Sequence, residues 1–417
     1  MDCADIAVIG AGPAGAAAAI VAARNGLDVV VIDKATFPRD KCCGDGLTAA
    51  CLRELQDLGL DPALVASWQP VHQVVLHSPA QRRVNLSLPR GPGLFSVVAR
   101  RKELDTALVE LAAATGAQVR TGQAVNAISV APDGRVVVST DSMVVCAPVV
   151  IAADGMWSPT RKLCQVRHEP GYRGEWHAFR QYLTGSGPDA AHAQHIWFPR
   201  DLLPGYVWSF PLPDGALNVG FGLPRGGPLA VGDGAAIWRA IFNRPEITDV
   251  LGTDLQSESP MRAWPIPARV EEATLSALGG RVLFVGDAAT APDPMTGEGI
   301  GQALQTGRLA VEAVLGKPGH SSGDIAMTYG QAVARDLVSD HRLARRLSAV
   351  LASPRRAEWA LRAADAHPWT RRNFARWMFE DYPRAIIGTP RRWERGQFHR
   401  PGAYASHAGP TSETSKP

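Results

Sequence analysis

No run of about 18 apolar residues occurs anywhere in this 417-residue chain, so a hydrophobic membrane-spanning helix is excluded. Cysteine is scarce. The six present (Cys3, Cys42, Cys43, Cys51, Cys146 and Cys164) form no CxxC pair and no paired metal-ligand spacing. They read as thiols of a reducing cytoplasm. His192 and His195 stand three apart without a third partner, so no metal site is expected. The N-terminus has no basic stretch ahead of an apolar one, and no signal peptide is expected. Lysine is missing from residues 331–400, where 15 Arg face 7 acids, a local balance of 15 − 7 = +8 in a chain of net charge +3. No recognised nucleic-acid-binding fold accompanies that charge, so nucleic acid is not an expected partner. With 46% hydrophobic and 20% charged residues, the composition is that of a soluble enzyme with a large core in two or three joined lobes.

What is present begins at Asp5. The apolar run DIAVI suits a buried parallel strand. Gly10-Ala11-Gly12-Pro13-Ala14-Gly15 follows at once, then an alanine-rich helix stopped by Gly26, then a second apolar run at 29–32 ending in Asp33 and Lys34. Strand, glycine turn, helix, strand and an acid about 20 residues on make a dinucleotide-binding unit. Gly10 permits the tight turn, Gly12 lets a pyrophosphate approach the backbone, and Gly15 lets the helix pack on the strand. The helix start at Ala14 offers N–H groups and partial positive charge to phosphates. Asp33, with Lys34 beside it, is placed to accept hydrogen bonds from a ribose diol. The motif alone does not separate FAD from NAD.

A second constellation is Gly286-Asp287-Ala288-Ala289 after the buried run RVLFV, with Gly297, Gly299 and Ile300 opening a helix. A carboxylate there can meet a ribityl or pyrophosphate-side hydroxyl. The helix start aims N–H groups at developing negative charge.

Between these units lie β-rich inserts. Residues 71–88 alternate and turn at Ser78-Pro79, and 205–222 form a hairpin turning at Asp214-Gly215. The expected division is an FAD-binding lobe at 1–70, 96–170 and 276–330, and a substrate β lobe at 71–95 and 171–275. A helical basic cap at 331–400 and a disordered tail at 401–417 complete it. The fold class is α/β: a Rossmann-type lobe interleaved with an antiparallel substrate sheet.

These residues resemble the FAD-dependent oxidoreductases that include aromatic hydroxylases, halogenases and geranylgeranyl reductases. GAGPAG at 10–15, ADG at 153–155 and GD at 286–287 carry the likeness, with RKELD at 101–105. The resemblance implies FAD as cofactor, Asp33 on the adenosine ribose, Arg101 near the phosphates, the Val125 backbone facing adenine, and Asp154 in the cofactor site. PRDKCCGDGL at 38–47, the YVWSFP…NVG pattern at 206–220 and PMTGEGI at 294–300 look like the geranylgeranyl reductase branch, near the bacterial menaquinone side-chain reductases. Cys42 stands where that branch commonly has proline.

The function so implied is saturation of C=C bonds in an isoprenoid chain by hydride from reduced flavin and a proton from a positioned acid. An external donor such as NAD(P)H would reduce the flavin. Tyr206, Trp208 and Phe210 alternate in a strand, so all three would wall an apolar tunnel from one sheet face. Cys43 and Tyr206 are candidate proton donors or positioning groups, and Trp208 joins them at the reaction site. An FAD monooxygenase or halogenase-like enzyme on an aromatic substrate is the alternative, although no lysine occurs in the β inserts. The arginines and Trp359, Trp369, Trp377 and Trp393 of the cap suit either a membrane interface or a solvated helical face.

Overall fold

The computed structural model describes residues 2–166, 169–316, 319, 321–393 and 395–405. Its nucleotide sheet sets six strands side by side: Ser276–Ala277, Val282–Phe284, Val149–Ala152, Ile6–Ile9, Val29–Ile32 and Gln118–Arg120. All pairings are parallel except at the Ser276–Ala277 edge. Every residue of Ile6–Ile9, Val29–Ile32 and Val149–Ala152 is buried, as parallel strands covered on both faces must be. The next strand in sequence, Val29–Ile32, lies to one side of Ile6–Ile9 and Val149–Ala152 to the other. The glycine turn therefore opens into the crevice where the strand order reverses.

Helix Pro13–Arg24 packs along helix Ile300–Leu315 at backbone distance. A Cβ on Gly307 would fall 2.1 Å from the Ala14 carbonyl oxygen, so glycine is required there. This contact fixes the glycine turn against the start of the second helix, with a Cβ at Gly286 only 3.1 Å from that of Ala14.

The second sheet runs Gln256–Ser257, Trp176–Thr184, Leu217–Pro224, Tyr206–Pro211, Gln194–Trp197, Gln73–His77 and Arg83–Ser87, with Arg262–Ile266 also on Trp176–Thr184. Both expected hairpins form; Asp214 and Gly215 take positive φ (59° and 70°) in the turn. The sheet is antiparallel save at one seam, where Gln194–Trp197 runs parallel to Gln73–His77. The two strands come from separate inserts, so no hairpin dictates their direction.

Helix Ser322–Val333 continues through a wider turn at Ala334–Val338 into Ser339–Leu351, followed by Pro354–Asp365 and Pro368–Met378. Part of the cap's charge is internal. Arg376 is buried against Asp381, and Arg384 against Asp293 (3.3 Å) and Glu380 (3.0 Å).

Two expectations are corrected. Cys3 and Cys146 form a disulfide across paired parallel strands, with 4.8 Å between their Cα atoms, so the six cysteines are not all thiols and no longer argue for a reducing compartment. A separation of 143 residues hid that pairing. The tail is not disordered from its first residue. Ala403 bridges to Leu94, and the buried Tyr404 ring meets Trp68 edge-on at 5.8 Å, because apolar side chains there find a pocket in the core. The rest of that segment, 406–417, lies outside the described residues.

Candidate active site

The glycines divide by what surrounds them. A Cβ on Gly10 would lie 2.4 Å from the Ala153 carbonyl oxygen, and one on Gly15 would lie 1.8 Å from that of Gly10. Those two are required by the chain's own packing. A Cβ on Gly12 would meet only the tip of Arg39, Nη2 at 3.3 Å. Its bareness is therefore not demanded by the fold, and it suits a cradle kept open for a pyrophosphate. Arg39 and the buried Arg101 share Asp105: Arg39 Nη2 at 3.3 Å from Oδ2, Arg101 Nε at 2.7 Å from Oδ1 and Nη2 at 2.9 Å from Oδ2. Two guanidiniums on one carboxylate leave net positive charge beside Gly12, which fits a dinucleotide's phosphates. Arg39 escaped sequence reasoning, its only signal being its place in the PRDK loop.

Asp33 is buried and accepts from the Ala11 N–H (2.6 Å) and the Ala35 N–H (2.8 Å), so it braces the turn as well as facing it. Lys34 is exposed and Val125 half-buried, both off the cavity wall. Asp154 lies behind Gly10, its carboxylate taken by Ser158 Oγ (2.5 Å) and the Thr160 N–H (2.8 Å); it props the start of helix Pro159–Leu163. Asp287 receives Lys41 Nζ at 2.9 Å.

A cavity of about 350 Å³ begins at Pro13, beside the glycine turn. Cys43, Arg101, Tyr206, Trp208, Phe210, Asp287, Gly297, Gly299 and Ile300 all line it. It continues between Leu347, Val350, Leu361, Phe374 and Trp377 of the cap. The three strand aromatics do share a face, with centroids 5.9 Å apart from Tyr206 to Trp208 and 6.4 Å from Trp208 to Phe210. Tyr206 donates its hydroxyl to the Thr296 carbonyl.

The cysteine loop lies beneath those rings: a Cβ on Gly46 would be 3.2 Å from Phe210. Burial pushes the Cys42 thiol up to about 12 and raises Cys43, with the Arg101 guanidinium opposing the rise. Burial raises Tyr206 as well. At the Ile300–Leu315 helix start the Gly301 N–H is already taken by Glu298 Oε1 (2.8 Å), so the anion-binding end narrows to Gly299 and Ile300. Burial, with the Glu380 carboxylate close by, raises Glu298 above the ordinary carboxylate range. His195 is buried in a stack with His77 and Trp197, and no cluster fit for a metal occurs among the described residues.

A glycine-turn crevice meeting an apolar cavity at a helix start is the arrangement of a dinucleotide-binding α/β oxidoreductase. The chain belongs to the FAD binding domain family, whose model matches residues 3–312, and FAD is its cofactor. It is 36% identical over 380 residues to a menaquinone reductase of Mycobacterium tuberculosis, covering 85% of each chain. It is 28% identical to a digeranylgeranylglycerophospholipid reductase of Methanosarcina mazei, covering 78% of this chain and 77% of that one. The fold matches a geranylgeranyl bacteriochlorophyll reductase-like protein of Thermoplasma acidophilum (TM-score 0.73, 22% identity, 94% of this chain and 100% of that one). It also matches halogenase PltM (TM-score 0.68, 16% identity, 93% and 84%). With these relatives, the chain is an FAD-dependent oxidoreductase.

Proposed function

We propose that the protein saturates C=C bonds of an isoprenoid chain carried by a prenylated quinone or a geranylgeranyl lipid. The observation that carries this is the continuous apolar cavity from the glycine turn, past Tyr206, Trp208 and Phe210, to the cap side chains Leu347, Val350, Leu361 and Phe374. The relatives named above as menaquinone and digeranylgeranylglycerophospholipid reductases support it. Gly12, Arg39, Arg101 and Asp33 would hold the pyrophosphate and ribose of FAD, and Asp287, Gly299 and Ile300 the flavin side. Bound and reduced by an external donor such as NAD(P)H, FAD supplies hydride.

The chain's own residues do the rest. An alkene offers no developing oxyanion, so orientation and exclusion of water must provide most of the acceleration. The indole of Trp208, fixed by its Nε1 donating to Asn218 Oδ1 at 3.0 Å, and the Phe210 ring form a rigid wall for a trisubstituted double bond. Tyr206, tied to Thr296, joins that wall to the Gly297–Ile300 helix start. Cys43 closes the floor. The exposed Trp359 and Trp369 stand on the cap helices with Arg346, Arg355, Arg356 and Arg372, which lack a carboxylate partner among the described residues, and this face would rest on an anionic lipid surface.

Anaerobic incubation of dithionite-reduced holoenzyme with menaquinone, geranylgeranyl diphosphate and digeranylgeranyl ether lipid should yield products heavier by two hydrogens. Oxygen-dependent hydroxylation of an aromatic compound, with no hydrogenated lipid, would overturn the reading in favour of a monooxygenase.

A further inference from the structure

Asp45 sits between Gly44 and Gly46 in the loop beneath the aromatic wall, fully buried and on the cavity lining. Its φ of +63° is a left-handed conformation that costs most residues on the order of 1 kcal/mol and that Asp tolerates better than most. The loop is bent in a way that turns a carboxyl inward. One carboxyl oxygen, Oδ2, accepts from Tyr182 Oη at 2.6 Å and from Asn218 Nδ2 at 2.8 Å. The other, Oδ1, is buried with no hydrogen-bond partner. A full carboxylate would leave that oxygen's charge unsolvated, whereas a carboxylic acid carries its proton there and can present it to the cavity. Asn218 also donates to the Cys43 carbonyl at 2.8 Å and accepts from Trp208, so one amide fixes acid, thiol loop and aromatic wall together.

We propose that Asp45 is the acid that delivers the proton in alkene saturation. This rests on the reductase reading above. The step balances as follows. A hydride, carrying two electrons, goes from the reduced cofactor to one alkene carbon as the π bond breaks. The Asp45 O–H bond breaks and its proton forms the second C–H bond on the neighbouring carbon. The cofactor is left oxidised, to be reduced again by the external donor, and Asp45 is left a carboxylate that takes its next proton from water.

The alternatives on the same wall are weaker acids. Burial raises both Cys43 and Tyr206 above already high ordinary values, whereas burial brings Asp45 to about 6, against the opposing hydrogen bond from Tyr182 and the charge of Arg180. A carbon base needs the stronger donor, and a donor near 6 still holds its proton in a useful fraction of molecules at neutral pH. The groups facing Asp45 favour its ionised product. Tyr182 and Asn218 donate to it, the Arg101 guanidinium lies close by, and Arg180 and Arg100 stack on the Tyr182 ring at 4.0 and 4.4 Å. Cys43, Cys42 and the partly exposed Asp40, which binds Arg180 Nη2 at 2.8 Å, complete the surroundings.

The test uses FAD-loaded wild type, Asp45→Asn and Tyr182→Phe under single turnover with a prenylated quinone. Wild-type rate should fall as pH rises through about 6. Asp45→Asn should lose at least about a hundredfold in rate while FAD stays bound and is still bleached by dithionite. Tyr182→Phe removes a donor to the carboxylate, so its inflection should move to higher pH. Infrared difference spectra of the unreacted protein supply a readout independent of turnover: a buried carboxylic-acid carbonyl band, absent in Asp45→Asn, titrating near 6 and moving with Tyr182→Phe. Asp45→Asn keeping its rate within about threefold with an unshifted profile, or an Asp45 found ionised across pH 4–8, would overturn the assignment and leave the reductase reading intact. A wild type that hydrogenates no prenyl chain would bring down both.

Discussion

Lys41 Nζ lies 2.9 Å from Asp287 Oδ2, joining the cysteine loop to the turn after Val282–Phe284 across 246 residues of sequence. The pair is partly shielded, the side chains being 25% and 14% exposed, so its worth exceeds that of a free surface pair without approaching a buried one. It clamps the cavity floor against the site proposed for the flavin. Lys41→Met should weaken FAD binding roughly tenfold, about 1.4 kcal/mol, and lower the rate of alkene reduction, with secondary structure unchanged. Flavin fluorescence on titration of the apoprotein measures this. An unaltered affinity would assign the pair to surface charge alone.

Gly12 and Gly15 should answer differently to the same methyl group. Gly15→Ala drives Cβ into the Gly10 carbonyl at 1.8 Å, and the protein should fail to accumulate in soluble form or lose more than about 3 kcal/mol in urea unfolding. Gly12→Ala meets only a movable guanidinium at 3.3 Å, so it should fold with near wild-type stability and yet purify colourless. A yellow Gly12→Ala protein would remove the pyrophosphate from that position.

Cys43→Ala should slow alkene reduction several-fold and keep FAD bound. Its pH inflection should stay where the wild type has it, because the thiol is not the titrating acid. An inflection that vanished with Cys43 would return the proton to sulfur. Single-turnover rates from pH 5 to 8 decide it.

Burial depresses His77 to about 3 and His195 to about 4, and their rings share a hydrogen bond of 3.1 Å. Both are neutral when folded, while the unfolded chain takes up protons below about 6.5. Stability should therefore be full above that value and fall as the medium is acidified from about 6.5 toward 4. The loss is on the order of 3 kcal/mol for each group if the pair acts independently. Melting temperature against pH is the measurement, and His77→Gln should flatten the acid limb.

Trp359 and Trp369 are 72% and 67% exposed on the cap helices. Replacing both with serine should cut co-sedimentation with anionic vesicles by roughly tenfold, and raised salt should weaken the wild type toward the same level. FAD content should not change. Equal binding by wild type and variant would leave the cap a solvated helical face.

The fold was legible where physics is local. Continuous apolar runs gave the parallel strands, the glycine spacing gave the turn, and alternation in YVWSFP put three rings on one face. What stayed hidden depends on strands from separate inserts meeting. Asp45 was readable only as a loop residue, because Tyr182 and Asn218 reach it from strands 137 and 173 residues away. The Cys3–Cys146 bond and the tail's return to Leu94 have the same origin. Arg39 and Arg101 come together through Asp105, across 62 residues of sequence that no local pattern spans.

The cavity's two ends are built from unrelated stretches of chain. Residues near the glycine turn come from 41–48, 206–210 and 292–300, while the far end is lined by side chains from 347–378. Substitutions at Leu347, Leu361 or Phe374 can thus lengthen or shorten the bore without disturbing the flavin end. On the function proposed above, the part of the bore that would set which isoprene unit reaches the hydride can drift while the chemistry stays fixed.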